Sequence, residues 1–205
     1  MSGPARKAAL YLWTALAFLS SPTPTEAQQY SFRYYGVEDG LTNLAVKVLF
    51  QDRTGFLWAG TESGVFRFDG YRFQRYGPDD GLPRDIVLSI GESPDGSLLA
   101  GFYSGLFQLK EGRFHRVELP GARGLDGYGG IRFDGKDRTY IATESGLVLT
   151  TNPHETGGLV FRRVPQAAGT GNSSTHGILL EKEGVWYGCG DGLCRMNGGQ
   201  ITVFG

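Results

Sequence analysis

Between residues 46 and 76 the apolar residues fall into four short clusters parted by turn formers. Val46 to Gln51 is apolar at most positions, and the turn Asp52-Arg53-Thr54-Gly55 separates it from Phe56 to Gly60. Glu62-Ser63-Gly64 leads into Val65 to Phe68, and Asp69-Gly70 into Tyr71 to Tyr76. Clusters this short, bounded by Gly and Asp, predict strands rather than helices. A Gly in each turn admits the positive φ that tight hairpin turns demand. The predicted unit is a four-stranded antiparallel meander.

The pattern recurs. Tyr35-Gly36-Val37-Glu38-Asp39-Gly40-Leu41 returns 41 positions later as Tyr76-Gly77-Pro78-Asp79-Asp80-Gly81-Leu82, and the same shift maps Gly55 onto Gly96, Gly60 onto Gly101, Gly64 onto Gly105 and Phe73 onto Phe114. Twice the shift carries Thr61-Glu62-Ser63-Gly64-Val65 onto Thr143-Glu144-Ser145-Gly146-Leu147. A fourth unit, Trp186 to Leu193, matches Trp58 to Val65 after an insertion between Thr151 and Thr175 whose Gly, Thr, Ser and Asn predict a long loop. Four strands in about 41 residues is the size of a β-propeller blade. The predicted fold class is therefore all-β: a β-propeller with about four blades of four antiparallel strands, near 46–76, 87–117, 129–164 and 177–205. Phe32 maps onto Phe73, so a strand at 31–35 is expected to complete a last blade that the region 28–205 lacks. Such a partial ring exposes a strand edge and an apolar face, which remaining blades or another chain would cover.

Asp80-Gly81-Leu82-Pro83 ahead of an apolar inner strand, and Gly55-Phe56-Leu57-Trp58-Ala59-Gly60-Thr61-Glu62-Ser63-Gly64-Val65, resemble the two-component regulator propeller repeat. Four partly degenerate copies span residues 32 to 204; in the third, Asp137 replaces the turn Gly and Tyr140 stands for Trp58. The resemblance implies a periplasmic seven-bladed propeller, often one of a tandem pair, that senses extracytoplasmic ligands, glycans among them. It also implies a downstream immunoglobulin-like domain, a transmembrane helix and a histidine kinase or diguanylate cyclase, all of which would lie beyond residue 205. The function expected is an extracytoplasmic sensing or ligand-binding module without catalytic output of its own. A secreted propeller lyase or hydrolase, and a purely structural or adhesive propeller, are the alternatives.

Composition agrees with many strands and turns: glycine contributes 33 residues and aromatics 13%. At the N-terminus Arg6 and Lys7 precede an apolar run from Ala8 to Ser20, Pro22 and Pro24 break it, and Thr25-Glu26-Ala27 offers a cleavage site. Residues 1–27 are expected to be a signal peptide, with an uncleaved membrane anchor and a buried helix as the other readings. A periplasmic or secreted location follows. The 20 basic residues are balanced by 21 acidic ones without a basic stripe, which argues against nucleic acid as a partner.

In such a meander the loop leading into strand one lies at the same end as the turn between strands two and three. The Asp-Gly-Leu loops and the Glu-Ser-Gly turns thus share one rim, called the top rim below. Residues there that break the repeat, Asn43, Arg84, Asp85, Tyr103 and Asp191, are the candidate ligand contacts. Cys189 and Cys194 flank the turn Gly190-Asp191-Gly192 on opposite strands, so a disulfide is expected in an oxidising compartment, with two buried thiols as the alternative. Two sulfurs do not complete a zinc site, and His115, His154 and His176 stand in no metal or catalytic motif; no metal or cofactor is expected. Phe56, Trp58, Phe66, Phe68, Phe73 and Phe107 are expected between blades.

Overall fold

The computed structural model describes residues 30–135, 138–150, 159–166 and 174–205; the expected signal peptide, Asp137, His154 and most of the 151–175 insertion lie outside them. The chain divides into Met1–Tyr34 and Tyr35–Gly205. All strands described here belong to the second unit.

Four four-stranded antiparallel sheets, each in simple sequence order, form the four blades of a partial β-propeller. Blade 1 is β1 (Val46–Gln51), β2 (Leu57–Thr61), β3 (Gly64–Phe68) and β4 (Phe73–Tyr76). Blade 2 is β5 (Val87–Glu92), β6 (Leu98–Phe102), β7 (Gly105–Lys110) and β8 (Arg113–Val117). Blade 3 is β9 (Ile131–Phe133), β10 (Thr139–Thr143), β11 (Gly146–Thr150) and β12 (Phe161–Arg163), and blade 4 is β13 (Ile178–Glu181), β14 (Gly184–Cys189), β15 (Gly192–Asn197) and β16 (Gln200–Phe204). First strands of successive blades, β1 with β5, β5 with β9 and β9 with β13, lie against one another. They form the inner side of the arc.

Side chains alternate between the faces of a strand, so each blade has two faces to bury. Trp58, Val65 and Tyr76 of blade 1 pack with Leu82, Ala100, Phe107 and Phe114 of blade 2. Leu99 and Leu106 of blade 2 meet Ile141, Val148 and Phe161 of blade 3, and Tyr140, Leu147 and Leu149 of blade 3 meet Val185, Tyr187 and Met196 of blade 4. As a result β6, β10 and β11 are buried at every position. Gly60 permits the close stacking: a Cβ there would lie 2.5 Å from Val87 Cγ1.

The 41-residue shift survives in detail. Asp39 accepts the Gly36 N–H at 2.8 Å, and Asp80 the Gly77 N–H at 2.9 Å, each closing a short 3-10 turn. Both turns end on a left-handed glycine, Gly40 and Gly81, at φ 92°.

Two features depart from the expected strands. No strand forms at 31–35; a strand is defined by its ladder to a neighbour, and the blade this segment was expected to complete is not among the four. Its last residue nonetheless does the work of its repeat partner: Tyr35 meets Phe73 edge-on with centroids 5.9 Å apart, as Tyr76 meets Phe114 at 5.6 Å. The second departure is in blade 3. Val46 pairs with Thr61 and Val87 with Phe102, each followed by a register shift, whereas Leu125 makes an isolated bridge to Thr143 and residues 126 to 130 loop out before β9 begins.

Candidate functional site

The top rim is built the same way in three blades: the loop leading into the first strand is tied to the turn between strands two and three. In blade 1 Asn43 Nδ2 donates to Ser63 Oγ at 2.8 Å, while Asn43 Oδ1 accepts the Ala45 N–H. In blade 2 Asp85 Oδ2 accepts the Ser104 N–H at 3.0 Å and Asp85 Oδ1 that of Ile86. In blade 3 Glu144 accepts the N–H groups of Arg123 and Gly124. Asn43 and Asp85 are therefore occupied in bracing the rim. Arg84 and Tyr103 flank the Asp85–Ser104 bond and are exposed, so the structure gathers Arg84, Asp85 and Tyr103 on blade 2. Asn43 belongs to blade 1 and Asp191 to an exposed turn of blade 4.

The turns themselves are held by different chemistry at one equivalent place. Thr61 Oγ1 donates to Gly64 O and accepts the Ser63 N–H; Thr143 does the same with Gly146 and Ser145. Arg75 reaches back to Ser63 O, and Arg163 to Ser145 O. In blade 2 the position of Thr61 is Phe102, stacked edge-on against Phe107 at 5.4 Å. In blade 4 it is Cys189, bonded to Cys194 with Cα atoms 5.8 Å apart.

Nearer the first strands lies a polar group that the repeat comparison overlooked. Lys47 Nζ donates to Glu62 at 2.8 Å, and that hydrogen bond, then the charge of Glu62, then more weakly Tyr128, against some desolvation, raise the lysine pKa above its ordinary value. His176 Nδ1 lies 3.7 Å from Asp126 Oδ2 and its Nε2 2.9 Å from Ser174 Oγ. Asp126 and Tyr128 stand on the 126–130 loop-out, so the one signal that could have pointed to them is the break in the blade 3 repeat. His115 is exposed on β8. Among the described residues no group of three His, Cys, Asp or Glu is placed to hold a metal ion.

At the opposite rim a cavity of about 780 Å³ opens between blades 3 and 4, lined by Arg138, Tyr140, Arg162, Glu181, Lys182 and Asn197 among others. On its blade 4 side the β13–β14 turn is only Lys182-Glu183, where the equivalent turn of blade 2 runs from Ser93 to Ser97. Between blades 1 and 2 the corresponding gap is bridged, with Arg53 of blade 1 bonding Ser93 O and Pro94 O of that longer blade 2 turn.

No family model and no curated protein matches the chain. Solved structures do. A catalytically inactive virginiamycin B lyase from Staphylococcus aureus, with quinupristin, is 18% identical with a TM-score of 0.56, covering 80% of this chain and 56% of that one. PorZ, a surface component of the type-IX secretion system of Porphyromonas gingivalis, is 16% identical with a TM-score of 0.54, covering 73% and 24%. The extracellular domain of a putative one component system from B. thetaiotaomicron is 20% identical with a TM-score of 0.48, covering 86% and 29%. The chain thus spans just over half of the lyase and under a third of the other two. At these identities the lyase and PorZ establish the fold, a β-propeller. Among the described residues no helix is long and apolar enough to cross a membrane.

Proposed function

We propose that this chain is a sensing module of a two-component-type signal-transduction protein, exported to the periplasm or beyond, that binds a small extracytoplasmic ligand of the glycan class on its top rim. The observation that carries this reading is the motif Gly55 to Val65, returned at 143–147 and 186–193, which resembles the propeller repeat of such regulators. Its support in the geometry is the Asp85–Ser104 hydrogen bond, which ties the loop carrying Arg84 to the turn carrying Tyr103. An aromatic ring beside a cation and hydroxyl or amide groups suits a sugar, whose apolar face stacks while its hydroxyls hydrogen-bond. A saccharide array probed with the purified chain tests it. Binding of one glycan class, lost in Arg84→Ala and Tyr103→Ala, supports the reading, and a folded chain that binds no saccharide sinks it.

One observation favours a second reading, a secreted hydrolase. Ser174, His176 and Asp126 stand in the order of nucleophile, base and orienting acid. His176 is 58% exposed and its distance to Asp126 exceeds a hydrogen bond, so the trio is the weaker basis. Labelling by a fluorophosphonate that disappears in Ser174→Ala would turn the choice toward the enzyme.

A further inference from the structure

Where the blade 3 repeat fails, the chain builds an arch. Asp126 to Gly130 stand just ahead of β9, on the top rim, at the point where blade 1 has the single irregular residue Lys47 and blade 2 has Leu88. Both feet of the arch are held by one residue of β10: the Asp126 N–H donates to Ala142 O at 3.2 Å, and the Ala142 N–H to Gly130 O at 2.8 Å. Its middle is tied across to blade 2, where the Gly129 N–H donates to Leu88 O at 2.9 Å. Leu125, 1% exposed, fixes the approach by packing so closely on Gly101 that a Cβ there would lie 2.3 Å from its Cδ2.

The apex is Tyr128. It stands between Gly127 and Gly129, whose φ of 96° and 68° bend the chain tightly on either side. Its ring is 53% exposed, and its hydroxyl has no hydrogen-bond partner among the described residues. The ladder of β9 begins at Ile131, beyond the arch, so the sheet does not need this side chain. A rigid backbone thus displays an aromatic ring that packs into no core.

Charged pairs from other blades complete its surroundings. Lys47 and Glu62 come from blade 1, and Tyr128 is near enough to Lys47 to help raise that lysine's pKa. Asp126, at the foot of the arch, faces His176 on the loop entering blade 4. Each carboxylate therefore stands beside a basic group, Glu62 at 2.8 Å and Asp126 at 3.7 Å, and no surplus positive charge is left over. Such a ring suits an uncharged sugar. The apolar face of a pyranose stacks on it, the sugar hydroxyls donate to the carboxylates, and nothing draws in a uronate or a sulfate.

We infer, on the glycan reading proposed above, that Tyr128 is the stacking platform of a neutral-saccharide site, with Glu62 and Asp126 accepting the hydroxyls of the sugar. A glycan array carrying neutral oligosaccharides beside uronate-bearing and sulfated ones of the same length, followed by titration with its best member, tests this. The full chain is compared with Tyr128→Ala, Tyr128→Phe and Glu62→Gln, each checked for native circular dichroism. The expected result is binding confined to neutral members and insensitive to ionic strength. Tyr128→Ala weakens it about tenfold or more, Glu62→Gln weakens it less, and Tyr128→Phe, which keeps the ring, preserves most of it. Neutral glycans bound equally well by Tyr128→Ala, with loss only in Arg84→Ala or Tyr103→Ala, overturn this site and leave the glycan reading standing. Binding of uronate or sulfated members alone does the same. A folded chain that binds no member of the array removes the site and the glycan reading together.

Discussion

Leu106 in blade 2 and Leu193 in blade 4 occupy the same seat, each opposite a glycine of the second strand, Gly101 or Gly188. The first is fully buried and the second 45% exposed. Identical side chains at identical points of the repeat thus differ by everything a neighbouring blade supplies. Within one blade the backbone ladder sets where a side chain points; only stacking decides whether that direction is core or surface.

The comparison is broken most directly by truncation at the two seats. Leu106→Ala should cost about 3 to 4 kcal/mol, the transfer term plus the cavity left between blades 2 and 3, whereas Leu193→Ala in the dilute single chain should cost under about 1 kcal/mol. Urea unfolding followed by circular dichroism measures both, and equal losses would mean that blade 4 is covered after all. A smaller contrast lies in the backbone. Gly81 and Gly199 both have positive φ, 92° and 90°, yet a Cβ would lie 2.1 Å from Phe114 O at the first and meet nothing within 4 Å at the second. Gly199→Ala should therefore cost about 1 kcal/mol and Gly81→Ala about 2 to 3 kcal/mol, the excess being the displaced outer strand of blade 2.

Reducing the Cys189–Cys194 bond removes a staple from blade 4 alone. So short a loop contributes about 2 kcal/mol in the chain-entropy picture. Hydrogen exchange should quicken in β14 and β15 while the equivalent hairpin of blade 2, held by Phe102 and Phe107, stays as slow as before. The smallest effect is expected from acid. Burial pushes the Asp52 carboxyl up, but hydrogen bonds from Trp58, Thr54 and the Phe56 N–H outweigh it and hold the group below the usual carboxylate range. Asp95 is likewise lowered, by Ser93 and Ser97 against burial. A carboxyl depressed in the folded state supports the fold fully above its unfolded pKa of about 3.9 and loses that support as pH falls through the folded value. Asp52→Asn should accordingly flatten the fall in urea midpoint below about pH 4; an unchanged acid limb would show that the Trp58 clasp adds nothing to stability.

The fold was legible because blade geometry depends on residues that the 41-residue shift preserves: the small Gly60 and Gly101, the turn-closing Asp39 and Asp80, the aromatic Phe73 and Phe114. What escaped was whatever depends on a neighbour or on an insertion. The segment 31–35 matches an outer strand in sequence, but a match supplies no partner. Tyr187 and Cys194 stand where blade 2 has Ala100 and Phe107, so large and small exchange places, a swap visible only once the two strands are paired. Asn43 and Asp85 were legible as rim residues, while their use as braces follows from the hydrogen bonds to Ser63 and Ser104. The polar group around Asp126 and His176 was hidden because it arises where the repeat fails.

That failure has a consequence for how the rim diversifies. At the point where blades 1 and 2 carry a single-residue irregularity between Val46 and Val48 and between Val87 and Ser89, blade 3 inserts Asp126 to Gly130 and then resumes its ladder at Ile131. The site behaves as an expansion joint: the added length is tied across to blade 2, Gly129 N–H donating to Leu88 O at 2.9 Å, and the register below it resumes unmoved at Ile131. New specificities can therefore be grafted at this joint, blade by blade, without re-solving the packing of the sheets beneath.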